Sequence, residues 1–448
     1  MKLYLISSAA LVLLHTPDVL SEQPSSSVGL KGVFAAIADE VNKFAGLSDH
    51  TAVDDKQNNR GDKDYKIYIR GKMRSNEKTV QENSEPSAST FGTSLFSEVC
   101  ADFPSGNVLL SPLSVNNALV LVKDGATIGS ENESELERVL GPPSLIEDDG
   151  DSDVQLIMAS SIWANSLKQS YIDGAISNHS ADAFPMPSRY TPVDKWIEDK
   201  TNGMIKGFLG DDKIDSHIVA LLVNAVYFKG TWTYAFDPEK TVDGEFVLRD
   251  ESKLPARFMT ATREMEYIGD SPLLGHAQVV MLDYGEESPE PSEFTSMFIL
   301  PDTSDAASME SVISGLNSRP ISVEDTYKTK VDLKLPRFRL EFGPADLKPS
   351  LEDMGMNIAF NEKVDGKFDE MSNDSTLTVG AVLHSAVMEV TEKGTEAAAA
   401  TVVPMRNRSR PRPPPELTFD RPFVVAVIHR ATGTPVFMGR VEEPELVF

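Results

Sequence analysis

Glu392-Lys393-Gly394-Thr395-Glu396-Ala397-Ala398-Ala399-Ala400-Thr401 runs on through Val402-Val403-Pro404-Met405 into the basic segment Arg406-Asn407-Arg408-Ser409-Arg410-Pro411-Arg412-Pro413-Pro414-Pro415. An Ala-rich helix entering a Pro-rich linker would account for the composition alone. Gly394 and the β-branched Thr395, Thr401, Val402 and Val403 argue instead for a segment able to become extended. Alternate residues from Thr395 are Thr395, Ala397, Ala399, Thr401, Val403 and Met405, all uncharged, while the other parity holds Glu396 and Arg406. One face of such a strand can enter a core and the other can meet solvent.

Around this segment lies a chain of 448 residues, 40% hydrophobic and 25% charged, which is enough to bury a large core. Sixty-nine acids against 42 bases leave a net charge of -27, which repels nucleic acid and anionic membranes and leaves the basic segment as a local exception. The single cysteine, Cys100, precludes an intrachain disulfide, a zinc ribbon and a thiol-disulfide motif. Lys2, the apolar run Leu3 to Leu14 and the small-residue pattern at Val19-Leu20-Ser21 read as an export signal over residues 1–21, too short to span a bilayer. Secretion is therefore expected, and four Asn-X-Ser sequons, at Asn132, Asn178, Asn373 and Asn407, are compatible with a glycoprotein.

Residues 22–88 are expected to be a largely flexible N-terminal extension. Val28 to Leu47 has helical spacing, and Ser48 to about Ser87 is polar, with seven bases against three acids between Arg60 and Lys78. A solvated linker is favoured there over a tether to an anionic surface. A compact domain over 89–448 begins where Phe91, Leu95 and Val99 recur at helical spacing. Helices are predicted over Ser111–Val122 and Asp194–Leu209. Strands are predicted over Ile218–Phe228, Met297–Leu300, Val331–Leu340, Pro422–Arg430 and Pro435–Val441. Without a fixed repeat or regular strand–helix alternation, this mixture indicates an α+β fold.

Enzyme chemistry finds little footing. There is no G-x-S-x-G elbow, H-E-x-x-H helix or G-x-x-x-x-G-K-[ST] loop. The seven histidines are scattered, and His384, in an apolar run, reads as a hydrogen-bonded core residue. The acidic tract Glu147 to Asp153 lacks the Gly and bidentate Glu of a calcium loop. No cofactor, metal or catalytic residue is expected.

The EKGTEAAAAT string resembles the hinge of inhibitory serpins, and similarity extends from Ser89 to Pro444. Asn107-Val108-Leu109-Leu110-Ser111-Pro112-Leu113-Ser114, Asp194-Lys195-Trp196-Ile197-Glu198 with Thr201-Asn202-Gly203-Met204-Ile205, and Val223-Asn224-Ala225-Val226-Tyr227-Phe228-Lys229-Gly230-Thr231-Trp232 match family segments in order. So do Leu335-Pro336-Arg337-Phe338, Phe419-Asp420-Arg421-Pro422-Phe423 and Phe437-Met438-Gly439-Arg440-Val441. The resemblance implies an α+β serpin fold of three β-sheets, about eight or nine helices and an exposed reactive loop. It also implies suicide inhibition, in which the cleaved loop inserts as a new strand and traps the acyl-enzyme. Such insertion requires a metastable native state, held kinetically, whose strain is released as the sheet closes.

Carried over residue by residue, the resemblance gives a hinge of Glu392, Gly394, Thr395, Glu396, Ala397, Ala398, Ala399, Ala400 and Thr401. It gives a shutter of Ser111, Ser114, Asn224 and His384, and a breach of Trp232, Arg337 and Glu392. By the family's loop spacing, the resemblance implies a reactive bond sixteen residues beyond Glu392, at Arg408–Ser409, which suits a trypsin-like serine protease. The stretch from Arg408 to Phe419 exceeds the common family length, so Arg406–Asn407 stands as the second candidate bond. Pro404 removes a ladder donor and is expected to limit insertion, and Asn407 is expected to carry no glycan in active protein. The interval from Gly141 to Val154 is shorter than the family's at the place of a helix on which heparin-activated members carry basic residues, so the resemblance implies a reduced helix and no heparin activation. The expected partner is a trypsin-like protease, with no nucleic acid or membrane, and the expected state is a monomer. A non-inhibitory serpin whose loop is cut as substrate is the alternative.

Overall fold

The computed structural model describes residues 51–57, 63–69, 88–141, 146, 154–206, 209–288, 292–320, 322–394 and 413–444. The chain divides into Met1–Asn83 and Ser84–Phe448. Within the first unit, strands β1 (Thr51–Gln57) and β2 (Lys63–Ile69) pair antiparallel, so part of the polar stretch read as linker holds a hairpin.

The second unit opens with helix α1 (Ala88–Asp102), strand β3 (Val108–Leu110) and helices α2 (Pro112–Asp124) and α3 (Glu131–Leu140). Next come β4 (Val154–Ala164), α4 (Gln169–His179), β5 (Asp182–Phe184), α5 (Thr191–Lys200), β6 (Ala220–Gly230), β7 (Val242–Val247), β8 (Lys253–Ser271), β9 (Ala277–Asp283) and β10 (Phe294–Leu300). Helix α6 (Ala306–Ser318), β11 (Tyr327–Pro336), β12 (Phe338–Asp346), α7 (Lys348–Asp353), β13 (Val379–Val390), β14 (Glu416–Thr418), β15 (Phe423–His429) and β16 (Thr434–Val441) complete it. Together with three short 3-10 turns, these make seven α-helices among the described residues. The α+β class is as expected.

One sheet has five strands, in the order β12-β13-β6-β4-β5. The other has nine, β14-β11-β8-β9-β10-β15-β16-β3 with β7 on β8. The 19-residue β8 is long enough to pair β7 along its first part and β9 along its last, which makes two sets of strands one hydrogen-bonded sheet.

The five-stranded sheet is covered on both faces, which is why its central strands read as continuous apolar runs. Strand period two then sorts the side chains. Leu222, Val226 and Phe228 of β6 join the main core, while Leu221, Val223 and Ala225 pack with Val193, Trp196 and Ile197 of α5. On β13, Val382, Ala386 and Met388 likewise belong to the main core, and Ala381 and Val387 to the α5 side. Asn224 and His384 share the parity of the main-core set, where α2 lies.

Two element predictions need correction. The run Val331–Leu340 is two strands in different sheets: β11 ends at Pro336, Arg337 donates its N–H to Arg257 O at 2.9 Å, and β12 begins at Phe338. The helix predicted over Asp194–Leu209 stops at Lys200. Asn202 and Gly203 take left-handed φ values of 52° and 76°, which end the helix although apolar periodicity continues.

Candidate functional site

Helix α2 starts beneath the middle of the five-stranded sheet. Ser111 is its N-cap and accepts the Ser114 N–H at 3.3 Å, with Pro112 in the first turn. This cap brings Ser111 and Ser114, both 0% exposed, against the sheet. Asn224 donates from Nδ2 to Ser114 Oγ at 2.6 Å, to Ser114 O at 3.1 Å and to Ser160 Oγ at 3.2 Å. His384 lies opposite Asn224 in the β6–β13 ladder, their side chains 2.8 Å apart between Nδ1 and Oδ1. Its Nε2 accepts the Ser111 N–H at 3.2 Å, so the ring proton belongs on Nδ1 and is donated to Asn224. Complete burial depresses the His384 pKa to about 3, keeping the imidazole neutral. All four residues predicted for the shutter therefore form one network.

Strands β6 and β13 run parallel, from Val379 opposite Ala220 to Val387 opposite Tyr227. Above that point β6 continues to Gly230 in register with β4, and β13 to Val390 in register with β12, but their mutual ladder has ended. The sheet is split at its upper end.

The three predicted breach residues meet above the split. Trp232 donates from Nε1 to Thr391 O at 3.0 Å and from its backbone N–H to Lys393 O at 3.1 Å. Phe236 N–H donates to Glu392 O at 2.7 Å. The Glu392 carboxylate accepts from Thr241 Oγ1 at 2.7 Å and lies 3.4 Å from Arg337 Nε. That approach is an ion pair without hydrogen-bond alignment, since Nε of Arg337 is otherwise unsatisfied. Trp232 stacks on Tyr284 at 4.4 Å between ring centroids, 18° from parallel. Gly394 bridges to Thr231 and Thr391 with φ +108°, and a Cβ there would stand 2.3 Å from Gly230 O. Only glycine fits this turn.

Sequence reasoning missed several participants. Ser160, Thr241, Tyr284 and Thr391 carry no local motif; each joins through a contact between distant strands or loops. Arg263 of β8 was also missed. Its guanidinium lies 5.1 Å from the Phe236 ring centroid and 5.7 Å from that of Tyr234, bracing the segment that holds the Glu392 and Lys393 carbonyls. Desolvation lowers its pKa to about 10.

Glu392 and Gly394 are the hinge residues that the structure describes. Thr395, Glu396, Ala397, Ala398, Ala399, Ala400 and Thr401 lie outside the described residues, as do both candidate bonds, Arg408–Ser409 and Arg406–Asn407. The export signal, the Val28–Leu47 helix, Pro404 and the acidic tract 147–153 also lie outside them.

A family model described as serpin (serine protease inhibitor) matches residues 86–444. Serpin-ZXA of Oryza sativa subsp. japonica is 30% identical over 370 residues, covering 76% of this chain and 91% of that protein. Corticosteroid-binding globulin of Sus scrofa is 29% identical over 388 residues, 80% of this chain and 90% of the relative. An Arabidopsis serpin solved in its native stressed conformation aligns with a TM-score of 0.67 at 25% identity, covering 80% of this chain and 97% of that one. By name, the relatives thus include a carrier in a family described by protease inhibition. The chain belongs to the serpin family.

Proposed function

We propose that this protein is a secreted suicide inhibitor of trypsin-like serine proteases. The observation that carries the reading is the parallel β6–β13 pair, whose ladder stops at Tyr227 and Val387 just below Glu392–Gly394. A chain turning back at Gly394 and entering between these strands runs antiparallel to both. It replaces one parallel interface with two antiparallel ones, the more stable pairing per residue. Its inward residues must be small or β-tolerant, and Thr395, Ala397, Ala399 and Thr401 are.

In this mechanism the protease serine attacks the Arg408 carbonyl, an ester forms, and the new amine of Ser409 leaves. Insertion then carries the ester-linked enzyme away before water can hydrolyse the bond. Arg408 supplies the guanidinium that a trypsin-like specificity pocket pairs with carboxylate. Insertion requires the His384–Asn224 contact and the ladder around it to separate, which makes the native state kinetically held. Heparin-independent inhibition by a monomer completes the proposal.

Mixing the mature protein with an equal amount of trypsin, followed by a denaturing gel and sequencing of the released peptide, tests this directly. The expected result is a covalent band and a peptide beginning at Ser409. A peptide beginning at Asn407 moves the bond to Arg406. Loop cleavage without a covalent band overturns inhibition in favour of a non-inhibitory serpin.

A further inference from the structure

Three of the four sequons lie among the described residues, and the fold treats them differently. Asn132, in the first turn of α3, is 1% exposed, and its Nδ2 donates to Lys367 O at 3.0 Å. The nitrogen that would carry sugar is engaged and enclosed. Asn178 is exposed in the last turn of α4, and its Oδ1 accepts from Ser177 Oγ at 3.0 Å. Asn373 is exposed on a turn set by its neighbours. Ser372 Oγ donates to Ser166 O at 2.8 Å and accepts the Asp374 N–H at 3.0 Å, and Asp374 Oδ1 accepts the Thr376 N–H at 3.0 Å.

The two exposed sequons share one region. Lys168, the N-cap of α4, donates its N–H to Met371 O at 2.9 Å, placing the Asn373 turn beside the start of the helix whose end carries Asn178. Asn178 thus lies at one end of α4 and the Asn373 turn beside the other, α4 itself being roughly 16 Å long. The turn lies near the end of the five-stranded sheet where Ala164 and Val379 flank Ala220, opposite the Glu392–Gly394 end.

We propose that Asn178 and Asn373 are N-glycosylation sites and that Asn132 is not. This rests on the reading that the chain enters the secretory pathway. The donor is a polyprenyl-diphosphate-linked oligosaccharide presented by a membrane-bound transferase. The asparagine Nδ2 attacks the anomeric carbon, a C–N bond forms, the C–O bond to the diphosphate breaks with its electron pair leaving on the diphosphate, and one amide proton passes to a base. The resulting oligosaccharides bracket α4 and hydrate a surface that includes Ile176, 56% exposed.

The full chain is expressed in cells with a secretory pathway, once with residues 1–21 and once with a heterologous export signal in their place, and glycans are counted by endoglycosidase mobility shift and peptide mapping. N178Q and N373Q are each expected to remove one glycan, and S134A, which abolishes the third sequon while leaving Asn132 in place, to remove none. A glycan mapped to Asn132 in the secreted protein, or no loss with either N178Q or N373Q, overturns the assignment. Glycans at Asn178 and Asn373 only behind the heterologous signal sustain the site assignment and refute the native export signal. S409A identifies any further glycan at Asn407 separately.

Discussion

The middle and the upper end of the five-stranded sheet are held in opposite ways. In the middle, Ser111, Ser114, Asn224 and His384 are neutral, at most 1% exposed and joined by multiple hydrogen bonds where β6 and β13 are still paired. At the upper end, where that pairing has stopped, Glu392 and Arg337 form a misaligned ion pair, and the remaining contacts run through the Thr241 hydroxyl, loop N–H groups and Trp232. A neutral network loses little on burial but much when one member is removed, whereas an ion pair without hydrogen-bond alignment recovers less of what its burial costs. On the insertion mechanism proposed above, the middle is the barrier to opening and the upper end is the place where opening starts.

The largest expected effect comes from Asn224→Ala, which strands Ser114 Oγ and the His384 N–H in a dry interior. It should cost about 3 kcal/mol, read as a lowered denaturation midpoint with faster spontaneous loss of the native form. A smaller loss than that caused by Arg337→Gln would reverse the contrast. Gly394→Ala is next, at about 2.5 kcal/mol, because its Cβ meets backbone at 2.3 Å in a left-handed conformation. Restored stability in Gly394→Asn would point to φ alone and remove the close approach from the account.

Acidification separates the two regions by chemistry. His384 has a folded pKa of about 3 against an ordinary 6.5, so the unfolded chain takes up the proton first. Its contribution is complete above about pH 6.5 and is lost as pH falls toward 3. Between pH 7 and pH 5 it should account for about 2 kcal/mol of destabilisation. Burial also lowers the pKa of His429, so the comparison is with His384→Gln, whose pH dependence should be flatter. An identical slope in the two proteins would remove His384 as the cause. The smallest effect is that of Arg337→Gln, about 1 kcal/mol, because Glu392 keeps its hydrogen bond from Thr241 Oγ1 and the lost contact is an unaligned one. Stability equal to that of the unaltered protein would show that the pair contributes no electrostatic restraint.

Much of this architecture is legible locally. The strands at Ala220–Gly230, Phe294–Leu300 and Phe423–His429 follow from apolar runs bounded by turn residues, and α2 from its Ser-Pro start. The misreadings have physical causes. Periodicity continues through Arg337 because both β11 and β12 are half-buried strands, so only their partners, β8 and β13, reveal two sheets. Periodicity likewise continues past Lys200 while the backbone at Asn202 and Gly203 ends the helix. Ser111, Ser114, Asn224, His384, Trp232, Arg337 and Glu392 were identifiable through family resemblance. Thr241, Tyr284 and Arg263 were not, because their roles arise from rings and carbonyls brought up by other strands.

The sequence by itself determined the α+β content, the acidic body with its basic segment, and a hinge whose alternate residues are uncharged, because these depend on composition and on periods of two and 3.6 residues within a single segment. Only the tertiary structure decided that β6 neighbours β13 in parallel, that their ladder ends at Tyr227 and Val387, and that His384 meets Asn224 across 160 residues of chain. Strand neighbours and register are settled by which apolar faces can be buried together across the whole domain, and no local pattern carries that choice.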